Sequence, residues 1–172
     1  MRTLPLLLAL LFVGCDHHGH DHHHDHDHDD EHGHDHDGEK HGHAHAPKYG
    51  GQLIELGKHE FQVELLAYPE TGELEAYLFD GCVERPVPSA MKTLAVELKL
   101  GDETVRVELT HDSMPSLVEP EGKSSKFRGQ HDKLKRQDHF DGKLVEVTLA
   151  GKSFKDVPFH YHVGDHDHDH EH

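Results

Sequence analysis

Histidine is the residue whose placement in this chain asks for a chemical explanation. Fourteen imidazoles fall between residues 16 and 46, at His17, His18, His20, His22, His23, His24, His26, His28, His32, His34, His36, His41, His43 and His45. Four more, His166, His168, His170 and His172, alternate with acidic residues at the far end, just beyond His160 and His162. Neutral imidazole is a borderline ligand suited to Zn(II), Ni(II), Cu(II) and Co(II). Adjacent or alternate spacing lets neighbouring rings meet one ion at little loop-closure cost. The interleaved Asp25, Asp27, Asp29, Asp35 and Asp37 can accept the second ring N–H, which raises ligand basicity. At three or four ligands per ion, the N-terminal run would hold about three to five ions. Fixing a flexible segment costs about 1 to 2 kcal/mol per residue. Binding of this kind is labile and suits a buffer or a carrier of divalent metal, with zinc the expected ion.

Two other uses compete with that reading. The runs could act as solvating spacers, although Asp, Ser or Gly would serve as well. They could also sense pH, because ordinary imidazoles titrate near pH 6.5 and protonating all 24 would turn a net charge of −17 into about +7. At neutral pH the excess of 34 acidic over 17 basic residues excludes a binder of nucleic-acid phosphates.

Residues 16–46 contain no Leu, Ile, Val, Phe or Tyr, and neither does Asp165–His172, so neither run has anything to bury. Both are expected to be disordered. Nearly all the apolar side chains lie in 47–163, enough for one modest core. The expected organisation is an export signal at 1–14, a His/Asp-rich tail at 15–46, a domain at 47–163 and a second tail at 164–172.

Met1–Gly14 carries one Arg and then an apolar run too short to span a bilayer. Leu11-Phe12-Val13-Gly14-Cys15 resembles a lipobox, with Phe12 where Leu is usual. This predicts a bacterial lipoprotein, acylated at Cys15 and anchored in the cell envelope facing the periplasm. An ordinary secretory signal is the alternative. With Cys15 acylated, Cys82 would be the one remaining thiol and no disulfide framework would form. Cys82 follows Asp80-Gly81 in an expected turn, as a small half-buried side chain or a soft metal ligand.

The domain reads as strands with one wet face. Phe61, Val63 and Leu65 alternate with Gln62 and Glu64; Leu74, Ala76 and Leu78 with Glu73 and Glu75; Leu94, Val96, Leu98 and Leu100 with Glu97 and Lys99. Val105, Val107 and Leu109 follow a turn at Gly101-Asp102. Val145, Val147 and Leu149 precede one at Gly151-Lys152, and Val157, Phe159, Tyr161 and Val163 close the series. About eight short strands imply an all-β fold, a sandwich of immunoglobulin-like or barrel-like form. Residues 113–142 lack the pattern and read as a crossover with a helical turn near His131–Arg136. On the last strand, His160 and His162 would share the outward face, Cα atoms about 6 to 7 Å apart, with His166 and His168 within reach as further ligands.

Signatures of catalysis are missing from the sequence. His59-Glu60 lacks the second histidine of a zincin, and there is no Gly-x-Ser-x-Gly, phosphate-binding glycine loop or Cys-x-x-Cys. A non-enzymatic role is expected; a scattered site of His59, His111 and His139 is the remaining route to catalysis.

Pro47-Lys48-Tyr49-Gly50-Gly51-Gln52-Leu53-Ile54-Glu55-Leu56-Gly57, Tyr77-Leu78-Phe79-Asp80, Ser125-Lys126-Phe127-Arg128-Gly129 and Gly151-Lys152-Ser153-Phe154 together resemble a group of uncharacterised bacterial exported proteins with His-rich ends. The likeness spans most of 47–163. It implies a small all-β domain in the envelope and an association with heavy-metal efflux systems. Those relatives often carry His where Tyr49 stands here. The competing functional class is an interaction module that docks on a metal efflux or uptake complex, with the tails as spacer or pH sensor.

Overall fold

The period-two runs become strands of one antiparallel sheet in the computed structural model, which describes residues 45–112, 114 and 117–163. These residues belong to the unit 44–172. The strands are β1 (Gln52–Leu56), β2 (Phe61–Tyr68), β3 (Glu73–Asp80), β4 (Thr93–Leu100), β5 (Glu103–His111), β6 (Lys126–Gln130), β7 (His139–Leu149) and β8 (Lys152–His162). A single 3-10 turn, Asp132–Leu134, separates β6 from β7. The eight strands form one sheet in the order β1-β2-β3-β6-β5-β4-β7-β8. The architecture is therefore all-β, and of the two expected forms it is the barrel-like one.

Tight turns set the hairpins. Leu100 pairs with Glu103 around Gly101, whose φ of +63° suits the first position of a two-residue hairpin turn. Leu149 pairs with Lys152 around Ala150 and Gly151, both at positive φ (+47° and +81°). That turn lies one residue earlier than the Gly151-Lys152 expected from sequence.

Inward side chains fill the barrel. Leu56, Val63, Leu65, Leu74, Leu78, Leu94, Val96, Leu98, Leu109, Phe127, Leu144, Val147 and Leu149 are fully enclosed in one cluster. Side chains of β8 reach across to β2 and to the β1–β2 turn. Phe61 meets Phe154 edge-on at 6.0 Å, Lys152 pairs with Glu60, and the Tyr161 hydroxyl accepts the Ala67 backbone N–H at 2.7 Å.

Three expectations fail in detail. First, 126–130 is a strand and β7 begins at His139, inside the stretch read as a crossover. Inward glycines hid both elements: Gly129 and Gly142 sit where an apolar side chain would have marked the period. At Gly129 a Cβ would stand 2.7 Å from the Glu108 carbonyl oxygen. Second, Val145 is not on the core face. Leu144 and Val147 are both buried, a step of three, while Val145 lines an outward groove with Arg106 and Glu108. The same step separates Phe154 from Val157 on β8, where Asp156 adopts φ +49°. Third, the outward faces of β2 and β3 are not wet: Gln62, Glu64 and Glu75 are buried. A second apolar layer of Tyr77, Phe79 and Val83, with Leu53, Leu66 and Met114, covers them from outside.

Candidate metal centre

The β7–β8 hairpin positions the ordered histidines. Its register pairs His139 with His162, Phe140 with Tyr161, Asp141 with His160 and Gly142 with Phe159. The inward members lock that register. Phe140 stacks on Tyr161 at 4.8 Å and meets Phe159 at 6.5 Å. Gly142 has to be small, because a Cβ there would stand 2.5 Å from the Phe159 ring and 2.9 Å from the Glu97 carbonyl oxygen. Pairing continues past the strand end, where the Val163 N–H donates to the Asp138 carbonyl at 2.6 Å.

Alternation then sends His139 and Asp141 outward beside His162 and His160. The expected exposure of His160 and His162 is observed. Two histidines of this face are held by carboxylates: Asp141 Oδ1 lies 2.8 Å from His160 Nδ1, and Asp138 Oδ1 lies 2.8 Å from His139 Nδ1. An ionised carboxylate only accepts, so each Nδ1–H donates and each Nε2 keeps its lone pair. The bond from His139 holds the Asp138 carboxyl below its ordinary range. The His139 and His162 rings stack at 6.4 Å between centroids. Lys99 is the cross-strand neighbour of Asp141 on β4, and Lys143 is tied to Asp156 at 2.7 Å and Glu97 at 3.1 Å. As positioned, the described residues contain no group of three His, Cys, Asp or Glu that could hold an ion.

The other candidates are dispersed. His17 to His43, His166 to His172 and Cys15 lie outside the described residues; His45, half-buried, is the one described member of the N-terminal run. His59 pairs with Glu55 at 3.2 Å in the β1–β2 turn, and His111 packs edge-on against Phe127 at 5.1 Å with its Nε2 on the Met91 carbonyl. His59, His111 and His139 are thus not assembled into a metal-holding group. Cys82 occupies the turn after β3, as the sequence suggested, but it is disulfide-bonded, which corrects the expectation of a lone thiol there. Sequence reasoning left Asp138 and Asp141 out of the site and did not join His139 to His160 and His162. Counting back residue by residue pairs them only from the observed Ala150-Gly151 turn; the turn expected at Gly151-Lys152 shifts the register by two residues.

A second polar cluster lies on the outward side of β2, β3 and β6. Glu64, fully buried, accepts the backbone N–H groups of Lys48 (2.9 Å), Tyr49 (2.7 Å) and Gly51 (2.9 Å). Glu75 accepts the hydroxyls of Tyr77 (2.8 Å) and Tyr68 (3.1 Å), and Lys126 bridges Glu75 (2.7 Å) and Asp112 (2.9 Å). Burial would raise the Glu75 carboxyl, but hydrogen bonds from Lys126 and Tyr77 outweigh it and hold the group below its ordinary value. Burial would lower the Lys126 ammonium, and bonds to Glu75 and Asp112 reverse that. The Tyr68 hydroxyl is pushed up to about 12 by burial and by the Glu75 charge. Among the described residues no buried side-chain nitrogen or oxygen lacks a hydrogen-bond partner, which marks this cluster as a structural network.

No protein-family model, curated protein or solved structure matches the chain. Among the described residues no helix is long and apolar enough to cross a membrane.

Proposed function

We propose that this is a bacterial cell-envelope protein that binds, buffers or hands over divalent transition metal, zinc foremost, through its His/Asp-rich tails, and that acylation of Cys15 anchors it on the periplasmic side. The observation that carries the reading is the partition of histidine: eighteen of 24 lie in runs without a single large apolar side chain, flanking a domain whose own core needs none of them. The likeness to exported His-rich proteins of efflux systems lends the same context. Nitrogen donors interleaved with carboxylates suit Zn(II), and share affinity with Ni(II), Cu(II) and Co(II). Glu64 ties residues 48–51 to the barrel, and the Tyr161 hydroxyl ties β8 to Ala67.

Protons compete with metal for imidazole, so zinc capacity should be several ions at pH 7.5 and mostly lost near pH 5. Titration calorimetry on the whole protein and on a variant lacking residues 16–46 measures this; equal capacity in both sinks the storage role. Anchoring has its own readout. Intact mass of the envelope-derived protein should show the added lipid, and Cys15→Ala should move it to the aqueous phase on detergent partitioning. An unlipidated mature protein rejects the anchor and leaves metal binding standing.

A further inference from the structure

We infer that the outward face of the β7–β8 hairpin is an ordered metal site in its own right, a three-imidazole set of His139, His160 and His162 with Asp138 and Asp141 as the carboxylates that orient it. The inference shares the metal-binding reading proposed above but draws on none of the tail residues.

Three observations combine. The register places His162 directly opposite His139, and His160 on the same face of β8 two residues before His162. Directly opposed residues stand about 4.5 to 5.5 Å apart at the backbone and alternate residues of one strand about 6 to 7 Å, so the three imidazoles share one small triangle. Second, two of the three rings already carry the partner that metal-bound histidines use. A carboxylate on Nδ1–H fixes the tautomer of a neutral ring and leaves Nε2 for a metal, and both Asp138–His139 and Asp141–His160 are placed for this at 2.8 Å. Third, the platform beneath is rigid while the ligands are not. Phe140 and Tyr161 are buried, whereas His139 and His160 side chains retain 70% and 67% of their exposure, so the rings can converge without moving the backbone.

Ring centroids of His139 and His162 are 6.4 Å apart, about 1 Å more than two imidazoles bound tetrahedrally at about 2.0 to 2.1 Å require. Rotation of exposed side chains covers that difference. Three imidazoles leave a fourth position open, the arrangement of a zinc site that exchanges ligands. Lys99 and Lys143 flank Asp141; Lys143 is already committed to Glu97 and Asp156, while Lys99 is the competitor for the Asp141 carboxylate.

The test is a titration of the full chain with zinc chloride at pH 7.5, followed by amide and imidazole NMR. Amides of Phe140–Gly142 and Phe159–Val163 should shift, and Nε2 of His139, His160 and His162 should show coordination. Asp141→Asn should weaken this event about 10- to 100-fold, and His160→Ala with His162→Ala should abolish it, leaving tail binding in place. If these hairpin signals stay still while the tail imidazoles saturate, or shift unchanged in the double variant, the inference is overturned and the tail reading survives. If the hairpin responds and the tails do not, the inference stands and the tail reading fails.

Discussion

The outward face of β2–β3 and the outward face of β7–β8 begin from the same kind of sequence, charged or polar residues alternating with apolar ones, and end as opposites. On β2–β3, Glu64 and Glu75 are enclosed and every oxygen is committed to a protein donor. On β7–β8, His139, Asp141, His160 and His162 remain exposed. Part of the difference lies in β3, whose outward positions include the aromatic Tyr77 and Phe79. The rest comes from what passes over the strands: residues 48–51 are tied to Glu64 and Tyr49 packs on those two rings. Buried polar groups must be satisfied from inside the protein, whereas exposed ones keep their capacity for a ligand. The covered face is structure, and the open one is where a ligand can bind.

The sharpest way to break that contrast is at Glu64. Glu64→Gln replaces one carboxylate oxygen by an NH2 group, so at least one of the three enclosed N–H groups faces a donor. Loss of a charge-assisted bond together with an unmatched buried donor should cost roughly 2 to 4 kcal/mol. Urea unfolding of the metal-free protein at pH 7 measures it. A loss below about 0.5 kcal/mol would mean that the covering segment is not held by this carboxylate.

Lys126→Met comes next, at about 2 to 3 kcal/mol, because it strands Glu75 and Asp112 with less compensation and Lys126 is itself only partly enclosed. It should also change the pH profile. Glu75 has a depressed carboxyl in the folded state, so its contribution is present above the ordinary value near 4.3 and vanishes as pH falls through the lower folded value. Lys126 is raised, so its contribution is present below about 10.4 and vanishes at more alkaline pH. Removing Lys126 should therefore flatten the acid arm of stability against pH. An unchanged acid arm would show that Glu75 draws its stabilisation from the tyrosines alone.

Much of this architecture was legible and the reasons for the exceptions are local. The alternations at Phe61–Leu65, Leu74–Leu78, Leu94–Leu100 and Val105–Leu109 mark β2 to β5, because each inward position carries an apolar side chain. β6 and the first half of β7 escaped because glycines occupy inward positions there and make room for a neighbouring backbone or ring. The cover over β2–β3 is non-local, and no alternation in Gln62 and Glu64 could announce it. At the candidate metal face, the exposure of His160 and His162 followed from period two. The arrival of His139 and Asp141 beside them needed the hairpin register, which is set by the turn at Ala150-Gly151 rather than the one expected at Gly151-Lys152.

The smallest expected effect lies on the open face and is the complement of the first. In the presence of a chelator, His160→Ala with His162→Ala should change stability by no more than about 0.5 kcal/mol, since exposed side chains with carboxylate partners contribute little. The register beneath them is held by Phe140, Phe159, Tyr161 and the enforced smallness of Gly142, none of which the double change touches. Urea unfolding with and without zinc separates the two roles of the face: the wild type should gain stability with zinc by mass action, and the double variant should lose the part of that gain that comes from the hairpin. A large loss in chelator would place the histidines among the groups that hold the barrel together, and the distinction between a covered structural face and an open ligand face would have to be drawn elsewhere in the sheet.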